Sequence, residues 1–171
     1  MPTDETFRQA LGHFATGVIA VTGLMPDGGP TGMTVSSFTS VSLNPHLVSF
    51  CVRSASRTWP KLRHSEGVCI NILAEDQTHV STRLARSGEA KFGDLSWLPS
   101  PGGLPVIGGV LAWMDGHIHA EYRAGDHEIV LIRIRHLRVE AKSPPLVRFR
   151  GSFHRLQPSS AHGHPRTSMA P

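Results

Sequence analysis

Hydroxyl side chains crowd the segment Gly32-Met33-Thr34-Val35-Ser36-Ser37-Phe38-Thr39-Ser40-Val41-Ser42-Leu43-Asn44-Pro45. Each of these serines and threonines donates and accepts a hydrogen bond, and their small side chains leave the backbone amides open to a polar ligand. Anions and heterocycles suit such a surface, as does the wet face of an ordinary Thr-rich strand. A second polar corner follows in Ser54-Ala55-Ser56-Arg57-Thr58. A helix starting at 58 would turn free amides toward an anion, with Arg57 adding a charge-assisted bond, or Ser56 and Thr58 would simply cap it. Gly125-Asp126-His127 sets a histidine beside a carboxylate on a turn, suited to contact with a cofactor or substrate ring or to proton donation near neutral pH. His117-x-His119-x-Glu121 offers three metal-ligand types on one face of a strand, although a wet strand face reads the same way.

Composition narrows the classes. The chain has 171 residues, 39% hydrophobic and 18% charged, which fits one folded domain, residues 1–157, with a short tail, 158–171, expected to be disordered. No apolar run approaches the ~20 residues a membrane helix needs. The acidic start, Met1-Pro2-Thr3-Asp4-Glu5, lacks the order of a secretory signal and points to the cytoplasm. The net charge of +4 is scattered rather than gathered into a basic run with aromatics, so no nucleic-acid partner is expected. Cys51 and Cys69 both lie in apolar strand-like runs and read as buried thiols.

The elements that must position these groups are mostly strands. Phe7, Ala10, Leu11 and Phe14 recur at helical spacing and predict a helix over residues 4–15. Strands follow over 18–22, through the hydroxyl segment, over 46–53 and over 68–74. Short helices are expected at 58–65 and 76–87, and a Pro/Gly-rich loop at 98–109. Ile118, Ala120 and Tyr122 then alternate with polar residues, the turn at 124–127 leads into a strand to 139, and the apolar phase changes near Arg135 as a bulge would make it. A closing strand spans 146–156. Many strands, few helices and hairpin-sized turns predict a mainly β fold, an antiparallel barrel with peripheral short helices. No G-x-G-x-x-G opens a helix, and neither a nucleophile elbow nor a P-loop is present, which argues against Rossmann dehydrogenase, hydrolase and phosphoryl-transfer readings.

Five ordered pieces carry a family resemblance: His13-Phe14-Ala15-Thr16-Gly17-Val18, the hydroxyl segment, Asn71-Ile72-Leu73-Ala74, Gly125-Asp126-His127 and Phe149-Arg150-Gly151. Over residues 7–156 the chain resembles the flavin reductase-like family with the FMN-binding split-barrel fold, especially small reductase components of two-component flavin-dependent monooxygenases. The resemblance implies hydride transfer from NADH or NADPH to FMN or FAD, supply of reduced flavin to a partner monooxygenase, and a homodimer whose second subunit completes the flavin groove. By position it implies that Gly32, Thr34, Val35, Ser36 and Ser37 meet the ring and ribityl portions and that Ser54, Ser56, Arg57 and Thr58 approach the phosphate. Ser81 and Arg83 would add contacts, while His127, Arg150 and Gly151 face the nicotinamide, His127 as a positioning group. His46 stands where the family commonly has a second proline, and Ile132 where it commonly has a glycine, a change that would narrow the nicotinamide approach or alter the strand. A flavin carrier without turnover, or a small-barrel metal enzyme using His117, His119 and Glu121, are the alternatives.

Overall fold

The computed structural model describes residues 1–86, 88, 91–141 and 143–156. The expected tail, 158–171, lies outside the described residues. In chain order the elements are α1 (Asp4–Gly12), β1 (Thr16–Gly17), β2 (Ile19–Leu24), β3 (Pro30–Val35), β4 (Thr39–Leu43), β5 (His46–Arg53), α2 (Trp59–Arg63), β6 (Val68–Ile72), α3 (Thr78–Leu84), β7 (Trp97–Pro99), β8 (Pro105–Ile107), β9 (Ala112–Ala124), β10 (His127–Val139), β11 (Val147–Phe149) and β12 (Ser152–His154). Seven strands form one sheet in the order β3-β2-β6-β9-β10-β5-β4, and every pairing in it is antiparallel. Among the described residues no helix is long and apolar enough to cross a membrane.

The strand β2 shows why the middle of this sheet reads as a continuous apolar run. Val18 and Ala20 pack into a core with Leu73, Val80, Leu84 and Trp113, whereas Ile19 and Val21 enter a second core with Phe50, Trp59, Leu62 and Ile132. Both faces are covered, so polar residues appear there only where hydrogen bonds enclose them. Thr22 and Asn71 are such a pair: the Asn71 amide donates to Thr22 Oγ1 (3.0 Å) and its oxygen accepts from the Ile107 amide (2.9 Å).

Four expectations change. The helix at the N-terminus stops at Gly12 rather than 15, and none of its residues is buried. The hydroxyl segment is not one strand, because residues 36–38 bend away between β3 and β4. The loop at 98–109 folds back as the β7–β8 hairpin, a two-stranded ribbon whose free edges tolerate the opposed Pro99 and Pro105. Residues 146–156 form the β11–β12 hairpin rather than a single strand, turning through Arg150 (φ 48°) and Gly151 (φ 79°), since a two-residue turn with both dihedrals positive matches strand twist.

Two register shifts mark the β9–β10 ribbon. One leaves Arg135 without an opposite residue, as the phase change predicted. The other skips His119 and breaks the two-residue period on β9. At the start of β6 the chain crosses β9 so closely that a Cβ on Gly67 would stand 2.6 Å from the Gly116 carbonyl oxygen, and a Cβ on Gly116 would collide with the Arg133 carbonyl.

Candidate functional site

A cavity of about 630 Å³, within the usual range for a small-molecule site, opens where the 36–38 bend, the end of β5, the 54–58 turn and α3 meet. Met33, Val35, Val52 and Leu84 give it an apolar wall, and Ser36, Ser37, Ser56 and Thr58 a hydroxyl wall. Arg57, Arg86 and Lys91 supply cationic groups around the 54–58 turn, Arg53 stands across from His127 in the β5–β10 pairing, and no described lining residue carries a carboxylate. The bend is pinned from behind. Ser37 Oγ accepts from the Cys51 amide (2.8 Å) and donates to the Cys51 carbonyl (3.1 Å), while Thr34 Oγ1 donates to the Ser81 carbonyl (3.4 Å).

The cationic end depends on Lys91, which sequence reasoning did not reach. Its side chain is 8% exposed, and Nζ donates to Thr58 Oγ1 (2.5 Å) and to the Arg86 carbonyl (3.3 Å). Burial, and then repulsion from Lys61, hold this ammonium below its ordinary pKa of 10.5. An anion at this end would relieve that cost. The expected helix-end site is weaker than the side chains around it: α2 has only five residues, too few peptide dipoles to sum to a strong field, and Ser56 Oγ accepts from the Trp59 amide (3.1 Å) as a cap.

At the rim next to the end of β5, Gly125 alone is at positive φ in the two-residue β9–β10 turn, the pattern of a II′ hairpin. The turn presents His127, whose Nδ1 lies 2.7 Å from Asp126 Oδ1. That hydrogen bond, and then the imidazole's charge, keep the Asp126 carboxyl below its ordinary value of 3.8. Cys51 also lines the cavity and is half-buried rather than enclosed, whereas burial and then the nearby Asp115 push the buried Cys69 thiol up to about 12.

Of the expected contacts, Thr34, Val35, Ser36, Ser37, Ser56, Arg57, Thr58 and His127 line this one cavity. The others stand apart. Gly32 is enclosed, with Val21, Thr22 and Phe92 where its Cβ would go. Ser54 is turned toward the hairpin, its amide donating to the Asp126 carbonyl (2.9 Å). The Ser81 side chain is buried, and only its carbonyl supports Thr34. Arg83 is ion-paired with Asp94 and lines a separate depression of about 310 Å³. Arg150 and Gly151 occupy the β11–β12 turn beside the end of α1, where the Arg150 amide donates to the Gly12 carbonyl (2.9 Å).

The metal-ligand reading of β9 does not hold. With the period broken at His119, Glu121 Oε1 accepts instead from Trp59 Nε1 (2.8 Å) and Arg63 Nε (3.0 Å), and no three His, Cys, Asp or Glu converge among the described residues. Ile132 is wholly buried opposite Val48, beside a register shift, and does not line the cavity. His46 lies at the exposed start of β5.

An antiparallel sheet carrying a hydroxyl-lined cavity with a cationic end defines a cofactor-binding class, and comparison identifies it. The chain belongs to the flavin reductase like family, whose domain matches residues 11–157. It is similar to a flavin reductase of Pseudomonas putida, 45% identical over 149 residues, spanning 87% of this chain and 88% of the relative. The FMN reductase (NADH) SmoA of Agrobacterium fabrum is 44% identical over 127 residues, 74% of this chain and 72% of that one. Among solved structures, a homologue of nitrilotriacetate monooxygenase component B from Mycobacterium thermoresistibile superposes with a TM-score of 0.88 at 38% identity, covering 94% of this chain and 90% of its own.

Proposed function

We propose that this protein is an NAD(P)H-dependent flavin reductase that passes hydride from NADH or NADPH to FMN or FAD and supplies the reduced flavin to a partner flavin-dependent monooxygenase. One observation carries the reading to particular residues: a single cavity joins an apolar wall, a hydroxyl wall and a carboxylate-free cationic end. Those three surfaces fit the ring, the ribityl chain and the phosphate of a flavin in turn.

The flavin, when bound, supplies the redox chemistry. The chain's part is to bind, orient and screen. Met33, Val35, Val52 and Leu84 exclude water from the ring wall, and the Ser36 hydroxyl with the amides of Ser36 and Ser37 offers donors where negative charge develops, the Thr34 and Ser37 hydroxyls being committed to backbone carbonyls. Ser56, Arg57, Thr58 and Lys91 hold the phosphate end. His127, fixed by Asp126 on the β9–β10 turn, orients the nicotinamide and need not give up a proton. Relatives named flavin reductase and FMN reductase (NADH) favour turnover over a carrier role.

The same reading takes residues 1–157 as one domain whose sheet closes into a split barrel, working in the cytoplasm as a homodimer. Exposed apolar side chains support the second copy: Phe7 and Leu11, each 57% exposed, lie on a helix with no buried residue, and Phe14, 75% exposed, follows just past its end. The test is steady-state oxidation of NADH and NADPH with added FMN and FAD. Flavin-dependent turnover with at least one pair is expected, and no turnover with any of the four would overturn the reading.

A further inference from the structure

The helix α2 follows directly on Thr58, the last cavity-lining residue of the 54–58 turn, yet its five residues are too few to be stable alone. Something must hold it. Trp59, 2% exposed, packs edge-on to Phe50 with ring centroids 5.5 Å apart, and its indole N–H donates to Glu121 Oε1. Arg63 closes the arrangement from the other end of the helix. Its Nε and Nη2 donate to the same Glu121 oxygen (3.0 and 2.9 Å), Nη2 also pairs with Glu128 Oε2, and the guanidinium stands 6.0 Å over the Trp59 ring.

Two carboxylates from neighbouring strands thus share one half-buried guanidinium. Without it the two carboxylates lose the cation they share and repel each other, which costs more in a partly desolvated site than on an open surface. The strain would fall on α2, and α2 governs the ligand end: the Trp59 amide fixes Ser56 Oγ, the Lys61 and Leu62 amides fix the Thr58 carbonyl (3.1 Å each), and Thr58 Oγ1 fixes Lys91. Arg63 itself does not line the cavity.

We infer that Arg63 is a positioning residue for the phosphate end of the cavity, holding Ser56, Thr58 and Lys91 in place by locking α2 onto the carboxylates of Glu121 and Glu128. This rests on the flavin reading above. Glu128 follows His127 on β10 but alternation turns the two side chains to opposite faces, so a side chain that acts through Glu128 and α2 changes how tightly flavin is held more than it changes His127.

The experiment is a fluorescence titration of FMN and FAD with full-length Arg63→Gln, Arg63→Lys and Glu121→Gln, alongside kcat and the KM for NADH at saturating flavin. Arg63→Gln is expected to raise the flavin Kd at least fivefold, with kcat and the nucleotide KM within twofold of the parent. Arg63→Lys, which can still meet one carboxylate, recovers part of the loss. Glu121→Gln shifts the flavin Kd in the same direction and decides the matter if Arg63→Gln does not fold. A parental flavin Kd in the folded variants, even with a lowered melting temperature, assigns Arg63 to stability alone and overturns the inference. If the parent itself neither binds nor reduces flavin, the functional reading fails instead; if the parent binds and Ser37→Ala weakens it while the Arg63 variants do not, only the Arg63 inference fails.

Discussion

Two polar regions of this molecule use nearly the same side chains and end in opposite conditions. Thr22 and Asn71, between the two cores, spend their hydrogen bonds inside the protein: Thr22 Oγ1 donates to the Pro105 carbonyl (2.5 Å), and Asn71 serves Thr22 and Ile107. Ser36, Ser37, Ser56, Thr58 and Lys91 line open space, backed by the chain on one side only. Polarity marks both places. Capacity left over after the chain has satisfied itself marks only the second, and that surplus separates a binding surface from a structural knot.

The largest expected effect falls on the closed region. Asn71→Leu strands the Ile107 amide and deprives Thr22 of a donor, for a loss of about 2–4 kcal/mol in denaturant unfolding. Flavin affinity of the folded fraction should stay within twofold. A large change there with intact stability would erase the contrast between the regions.

Lys91→Met strikes the open region and should weaken flavin at least tenfold, about 1.4 kcal/mol. Its pH dependence sharpens the test. Because burial depresses this ammonium, carrying its proton destabilises the folded protein below the lowered pKa, and that burden lifts as pH rises past it. A bound phosphate reverses the preference. Affinity is therefore full while Lys91 keeps its proton and declines as pH climbs through its titration, which burial starts below 10.5; Lys91→Met should flatten that limb in a titration series.

The smallest effects divide the cavity itself. Ser37→Ala leaves the Cys51 amide without its partner and should cost about fivefold in flavin Kd, or roughly 1 kcal/mol. His127→Ala should raise the KM for NADH about threefold, as loss of one exposed polar contact would, and leave flavin Kd unchanged. Equilibrium titration and steady-state kinetics read the two separately, and exchanged outcomes would reverse the two ends of the site.

Local chemistry was legible in the sequence where one segment carries it. The hydroxyl bend, the Ser56–Thr58 turn and the His127 turn all proved to line a single cavity, because each is a short run whose composition reflects its own exposure. The apolar phase change likewise gave the bulge at Arg135. Pairings between distant segments were not legible. Nothing near Lys91 in the chain tells that it meets Thr58, and Arg83 looked available until Asp94 was seen to hold it. The alternation on β9 misled because a bulge inverts the period without any signal of its own, and so Glu121 faced Arg63 rather than two histidines.

The close crossing of Gly67 and Gly116 bears on how this chain could diverge. A library randomised at Arg57 and Ser36 explores the rim of the cavity while the framework stays whole, since both residues border open space. Randomising position 116 offers no such freedom, because any side chain there displaces the Arg133 carbonyl and pries β10 from β9. Selection can therefore retune what the cavity accepts by small steps, on condition that one pair of glycines is inherited unchanged.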